Sequence, residues 1–112
     1  MSGKAVCALV SVILLTGAAQ AAPLPDVNAV VTMAADFFGC RTLSDLAHII
    51  TLDWVKNDKT ASVAYGNEHC ALLRKGEQLK VEAVSVVRGA VCLREGRSSE
   101  CYWTNAQMLR NP

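Results

Sequence analysis

The chain contains five cysteines, and thiols can form disulfides, bind zinc or act as nucleophiles. Cys7 lies in an apolar N-terminal segment, whereas Cys40, Cys70, Cys92 and Cys101 lie in the remainder of the chain. An even number of cysteines in a small exported protein is typical of a disulfide framework. Four cysteines allow three pairings, and their spacing alone does not choose among them.

The order of the predicted elements favours one pairing. Cys92 and Cys101 fall on the two arms of the last predicted hairpin, which leaves Cys40 to pair with Cys70. A zinc site is the alternative, but the chain lacks the closely spaced Cys-x-x-Cys pairs of structural zinc sites. We therefore predict two disulfides, no bound metal and no cofactor.

The two histidines, His48 and His69, are the candidate acid–base groups. His69 follows Glu68, a juxtaposition that is common by chance, and we expect both histidines at the surface. No serine stands in a Gly-x-Ser-x-Gly context, and no glycine-rich phosphate loop is present. Because disulfides would consume the thiols, no Cys–His nucleophile pair is expected. The sequence predicts a protein that is not an enzyme, and a small hydrolase ranks last.

Tyr102 and Trp103 are the strongest candidates for binding. Adjacent residues of a strand point to opposite faces, so one ring can fill the core while the other is presented outward. Charged residues precede the pair, among them Arg94, Arg97 and Glu100. A presented ring beside these charges suits a peptide, glycan or protein surface. Alternatively, Trp103 packs on a helix near Trp54 and Tyr102 is an ordinary surface residue.

The N-terminal segment has the composition of a secretory signal peptide. Lys4 precedes an apolar run over residues 5–16, and Ala19 and Ala21 form a small-x-small cleavage site. The run is shorter than the roughly 20 residues of a membrane span. We predict cleavage after Ala21 and a periplasmic or secreted protein.

The predicted mature chain, residues 22–112, has no net charge. The whole chain carries 11 Lys and Arg against 10 Asp and Glu, and loss of Lys4 makes the two counts equal. A neutral, mixed surface argues against nucleic acid or an anionic membrane as the main partner. The mature part also contains no apolar span. Its first residues, 22–28, include two prolines and are expected to be extended and mobile.

A pair of helices is predicted over residues 42–66. Thr42 stands three residues before Asp45, close to the pattern of a capping box, and apolar residues then recur at helical spacing up to Trp54. This first helix is predicted to extend to about residue 56. A second helix over residues 59–65 would begin after Asp58 and end at Gly66 and Asn67.

Short strands dominate the rest of the chain. Apolar and polar residues alternate over residues 78–87, the pattern of a half-buried strand. Further strands are predicted over residues 70–73, 90–94 and 100–104. A closing turn at 106–109 would be capped by Thr104 or Asn105. Secondary-structure propensities do not decide whether residues 27–38 form a strand or a helix.

This pattern resembles bacterial SH3-like domains, and more narrowly small exported proteobacterial proteins of unknown function that carry such a domain. In those domains a Lys-Gly turn precedes the second strand, and an aromatic strand precedes a closing helical turn. Lys75-Gly76 and Tyr102-Trp103 occupy the matching positions, and the resemblance spans residues 30–109. It implies that residues 27–38 form a strand that bends at Gly39.

The sequence thus predicts one α+β domain, a small SH3-like antiparallel β-barrel with an inserted helical hairpin and two disulfides. The main barrel strands would lie within residues 70–104. The predicted function is a non-catalytic exported binding module for a peptide, glycan or envelope protein. The alternative is a small secreted enzyme inhibitor that presents the loop of residues 94–100. The oligomeric state stays open.

Overall fold

The computed structural model describes residues 23–110 of the 112-residue chain. The predicted signal peptide, residues 1–21, lies outside this range. The described part is an α+β fold with a seven-stranded antiparallel sheet, two α-helices and two disulfides. Within residues 23–110, no helix combines the length and the apolar character needed to cross a membrane.

The strands are short and the helices stand together near the middle of the chain. Two strands precede the helices: β1 (Val30–Met33) and β2 (Phe37–Cys40). The helices are α1 (Leu43–Ile50) and α2 (Lys59–His69). Five strands follow: β3 (Cys70–Leu73), β4 (Gln78–Ser85), β5 (Ala90–Arg94), β6 (Tyr102–Asn105) and β7 (Leu109–Arg110). The sheet order is β3-β2-β6-β5-β4-β1-β7.

A sharp corner separates β1 from β2. Residues 34–36 belong to neither strand, and the turn between β3 and β4 lies beside them. The Met33 N–H donates to the Glu77 carbonyl at 2.9 Å, and the Lys75 N–H donates to Asp36 Oδ1 at 2.7 Å. Strand structure in this region is confirmed, but the predicted bend at Gly39 is wrong. The corner comes earlier, where the side chain of Asp36 can satisfy a backbone donor of the facing turn.

Gly39 serves a different purpose inside β2. A Cβ atom at this position would lie 2.7 Å from Leu73 Cδ1 and 2.8 Å from Tyr102 Cβ. Such contacts are shorter than van der Waals distance, so the glycine allows the flanking strands to bring these two side chains together.

The sheet is not closed, since β3 and β7 form its two ends. Strand β2 pairs with β6 at Cys40 and Trp103. The α+β class, the antiparallel sheet, the inserted helical hairpin and the disulfides are confirmed, whereas closure into an SH3-like barrel is not found.

The core lies between the strands and α1. Its buried apolar side chains come from both and include Val31, Met33, Phe37, Leu46, Ile49, Leu73, Leu79, Val81, Val91 and Leu93. Thr42 Oγ1 accepts the Asp45 N–H at 3.0 Å, which confirms the predicted helix start. Leu46 and Ile49 recur at helical spacing, so α1 buries one face against the sheet.

The first helix changes form before its predicted end. After Ile50 the chain continues as a π-helical turn, Thr51–Val55. This turn buries Asp53, whose carboxylate pairs with Lys59 Nζ at 2.6 Å. An ion pair therefore fixes the connection between the two helices.

The second helix starts as predicted and ends later. Asp58 Oδ1 accepts the Ala61 N–H at 3.1 Å, but α2 passes through Gly66 and reaches His69. A Cβ atom on Gly66 would lie 2.5 Å from ring atoms of Phe38. The helix therefore uses this glycine as a contact surface for a phenyl ring rather than as a stop.

Both disulfides have the pairing that the element order favoured. Cys40 and Cys70 face each other in the β2–β3 ladder, and Cys92 bonds to Cys101 across the last hairpin. The first disulfide closes the helical hairpin into a covalent ring. The second clamps the loop between β5 and β6.

Two strand ends differ from the predictions by two residues. Strand β4 ends at Ser85 because a turn at residues 86–89 begins earlier, with Gly89 at a φ of 61°. Strand β6 begins at Tyr102. The closing turn is a 3-10 helix, Ala106–Met108, capped by Asn105 Oδ1, which accepts the Gln107 N–H at 2.8 Å.

Candidate binding site

Trp103 lies between the two disulfides. It is opposite Cys40 in one ladder and opposite Cys92 in the other, so its side chain shares a face with both cysteines. The indole is half-buried and packs against the core. The aromatic partner of Trp54 is Phe37, with ring centroids 5.7 Å apart. Trp103 is thus part of the packing around the disulfides.

Tyr102 points to the other face of β6, where Leu93 is its cross-strand neighbour. It is half-buried and lines a recess of about 120 Å³. We call this the Tyr102 recess. Its other lining residues are Ala71, Leu72, Leu73, Glu77, Leu79, Leu93 and Glu95. The recess is therefore apolar apart from the tyrosine and two carboxyl groups.

The two carboxyl groups of the Tyr102 recess interact. A hydrogen bond with Glu77, followed by repulsion between the two like charges, raises the pKa of Glu95 above its usual 4.5. Glu77 Oε1 also accepts the Arg74 N–H at 3.0 Å, which fixes its side chain. Two carboxylates held this close favour a shared proton or an approaching cation.

Strand register brings these glutamates together. Lys80 is opposite Arg94 in the β4–β5 ladder, which places Glu95 beside Leu79. Glu77 lies two residues before Leu79, at the end of the preceding turn. The two glutamates are 18 positions apart in the sequence, and the sequence analysis identified neither as a site residue. Only the register of two strands could have linked them.

Arg94, one of the charged residues of the predicted site, is occupied by other contacts. Arg94 Nε pairs with Glu82, and its Nη1 reaches the carbonyls of Gly96 and Ser98 at 3.5 and 3.3 Å. The arginine therefore holds the loop between β5 and β6 in shape.

Glu100 and Arg97 are also separate from the recess. Glu100 pairs with Arg41 Nη1 at 3.0 Å, and its N–H donates to Ser98 Oγ at 3.2 Å. Arg97 is exposed on the same loop. The structure thus places Tyr102 at a recess but does not place the other predicted site residues among its lining.

The rings of both histidines pack against the ring of one tyrosine. The Tyr65 ring centroid is 4.2 Å from that of His48 and 4.3 Å from that of His69. The Tyr65 hydroxyl donates to Asp45 Oδ1 at 2.7 Å, a bond that lowers the pKa of Asp45 and raises that of Tyr65. His69 Nε2 lies 3.3 Å from Glu68 Oε1. The sequence analysis missed this cluster, which joins α1 to α2.

The cluster around Tyr65 lacks the arrangement of a metal site. Across residues 23–110, no group of three or more His, Cys, Asp or Glu side chains is placed to hold a metal ion. The four described cysteines are all disulfide-bonded. The geometry therefore supports stacking and hydrogen bonding between the helices.

Comparisons with protein-family models, curated proteins and solved structures gave no match. The resemblance to SH3-like exported proteins stays a prediction.

Proposed function

We propose that the protein is a non-catalytic binding module that captures a segment of a partner polypeptide at the Tyr102 recess. The observation that carries the proposal is the placement of Tyr102 beside two interacting carboxyl groups in an otherwise apolar recess. Tyrosine suits a site that is partly apolar and partly exposed to solvent, because its ring is apolar and its hydroxyl is polar.

The lining favours a lysine or arginine side chain as the group that enters. These side chains combine an apolar stem with a cationic head. The stem would contact Ala71 and Leu72, the lining residues that keep accessible apolar surface, while the cation would relieve the repulsion between Glu77 and Glu95. A neutral glycan would leave that repulsion in place, so a basic peptide is the better fit among the predicted ligands.

The position of the recess supports an extended peptide. Residues of β3 line it, and β3 is an end strand of the sheet. An end strand can pair with an incoming strand through backbone hydrogen bonds. Leu72, which is 43% exposed on β3, offers apolar contact to such a peptide.

The proposal includes export to an oxidising compartment. The leader-like composition of residues 1–21 and the two disulfides both support it. The small antiparallel sheet is compatible with the SH3-like resemblance, which we retain as part of the proposal.

Peptide libraries with one fixed position test this function. Binding to the oxidised protein would be compared for libraries that fix lysine, arginine, norleucine or glutamate. We expect lysine and arginine to exceed norleucine by about tenfold or more, because hydrogen bonds to charged groups contribute roughly 1.5–3 kcal/mol. The Glu77→Gln/Glu95→Gln variant should lose this preference.

Glu68→Gln, an exposed change on α2, is the matched control and should keep the preference. Equal binding of the lysine and norleucine libraries would contradict the proposal. A preference that survives in the double variant would also contradict it.

An inhibitor is the second candidate, and the loop between β5 and β6 supports it. The loop is clamped by Cys92–Cys101 and braced by Arg94, while Arg97 is exposed. A braced loop loses little entropy when it enters an enzyme cleft. Inhibition of a trypsin-like protease that disappears in Arg97→Ala but persists in Tyr102→Phe would favour this function over the first.

A further inference from the structure

A second recess lies at the opposite end of the sheet. It has a volume of about 390 Å³, within the roughly 300–1,000 Å³ typical of small-molecule sites. We call it the Arg110 cavity. Its lining combines the N-terminal segment with β1, the 3-10 helix and β7: Pro23, Leu24, Pro25, Asp26, Ala29, Val31, Ala106, Leu109 and Arg110.

Backbone hydrogen bonds hold the walls of the Arg110 cavity. The Asn28 N–H donates to the Val81 carbonyl at 2.8 Å, and the Ala29 N–H donates to the Asp26 carbonyl at 3.1 Å. The Ala106 N–H donates to the Gly89 carbonyl at 2.9 Å. Strand β7 pairs with β1. The chain from Asp26 onward, the 3-10 helix and the end strand are thereby anchored around the cavity.

The lining carries two opposite charges on an apolar surface. Asp26 is the only acid and Arg110 the only base among the lining residues within 23–110. In that same range, neither side chain lies within 4 Å of an oppositely charged group. Among the described residues, the carboxylate and the guanidinium that line this cavity are thus both available to a ligand.

We infer that the Arg110 cavity binds a small zwitterion with an apolar body, of the size of an apolar amino acid or dipeptide. The ligand carboxylate would pair with the Arg110 guanidinium, whose planar donors match a carboxylate. The ligand ammonium would pair with Asp26. The apolar body would contact Leu24, Ala29 and Leu109, which are half-buried in the lining.

Calorimetric titration of the oxidised protein with L-leucyl-L-leucine tests the inference. N-acetyl-L-leucyl-L-leucine lacks the ammonium, and L-leucyl-L-leucine amide lacks the carboxylate. We expect the unmodified dipeptide to bind at least about tenfold more tightly than either derivative, because each derivative loses one charge-assisted contact. Equal affinity of all three compounds, or no binding of any, would overturn the inference.

Variants assign the binding to this cavity. Arg110→Gln and Asp26→Asn should each weaken dipeptide binding by about tenfold or more. Arg97→Gln, a change on the loop between β5 and β6 at a residue that does not line the cavity, is the matched control and should bind as the unmodified protein does. The Glu77→Gln/Glu95→Gln variant should also keep full affinity, so failure here is distinguishable from failure at the Tyr102 recess. Unchanged affinity in Arg110→Gln, or loss in the double glutamate variant, would refute the assignment.

Discussion

Tyr65 Oη donates a hydrogen bond of 2.7 Å to Asp45 Oδ1, which links the two helices of the hairpin. The two residues are 20 positions apart. His48 from α1 and His69 from the end of α2 stack on the same tyrosine. The hairpin is therefore held together by one ring and its hydroxyl as well as by the disulfide at its base.

Tyr65→Phe should lower the free energy of unfolding most strongly at intermediate pH. The bond lowers the pKa of Asp45 from 3.8, so its contribution exists above that value and is lost as the pH falls through the lowered pKa. It raises the pKa of Tyr65 from 10.0, so the contribution is lost again as the pH rises through the raised pKa. Urea unfolding of both proteins between pH 2 and pH 11 measures this window. A difference that is constant with pH would contradict it, and the phenyl ring preserves the stacking as an internal control.

Glu95→Gln should stabilise the folded protein at neutral pH. The folded pKa of Glu95 lies above 4.5, so its favourable contribution is complete below 4.5 and is lost as the pH rises through the raised pKa. Glutamine removes the repulsion with Glu77, and the melting temperature should rise at pH 7 but not at pH 4. Glu77→Gln/Glu95→Gln should give no larger gain than Glu95→Gln alone. A gain at pH 7 that persists unchanged at pH 4 would exclude this explanation.

The two disulfides should differ in their contribution to stability. Cys40 and Cys70 lie 30 positions apart in the sequence, and Cys92 and Cys101 lie 9 positions apart. In the loop-entropy model the first contributes about 3–4 kcal/mol and the second about 2.5–3 kcal/mol. The free energy of unfolding of a small domain is only about 5–15 kcal/mol. Replacing both cysteines of either disulfide by alanine should therefore lower it by an amount that urea unfolding can measure. A larger loss for the shorter disulfide would show that strain or packing outweighs chain entropy.

Gly66→Ala should destabilise the fold although alanine is the better helix former. Alanine gains about 1 kcal/mol in helix propensity over glycine. Its Cβ would lie 2.5 Å from the Phe38 ring, and overpacking of this kind costs about 1–3 kcal/mol. Gly96→Ala is the matched control, because its Cβ would have no neighbour within 4 Å. Stabilisation by Gly66→Ala would mean that the Phe38 ring moves aside freely.

Local patterns in the sequence predicted the elements better than their ends. Thr42 and Asp58 start the helices as predicted, because each cap needs only residues three positions away. Gly66 does not end α2, since its contact with Phe38 outweighs the usual stop signal. The corner between β1 and β2 depends on Asp36 meeting a turn 39 residues later, which no local pattern contains.

The candidate sites were harder to predict because they depend on register. Tyr102 was identified from its neighbourhood in the sequence, but its charged companions were not. Glu77 and Glu95 meet only when β4 and β5 pair as they do. Arg94 and Glu100, chosen for their proximity in the sequence, instead hold the loop through other contacts.

The disulfide between Cys40 and Cys70 has a consequence for proteolysis. It joins directly opposed residues of β2 and β3, so all of residues 41–69 lie within one covalent loop. A protease that cuts anywhere in this loop produces two chains that remain attached at the sheet. The nicked protein would migrate as one species without reductant and as two fragments with it, and every strand would keep its neighbour.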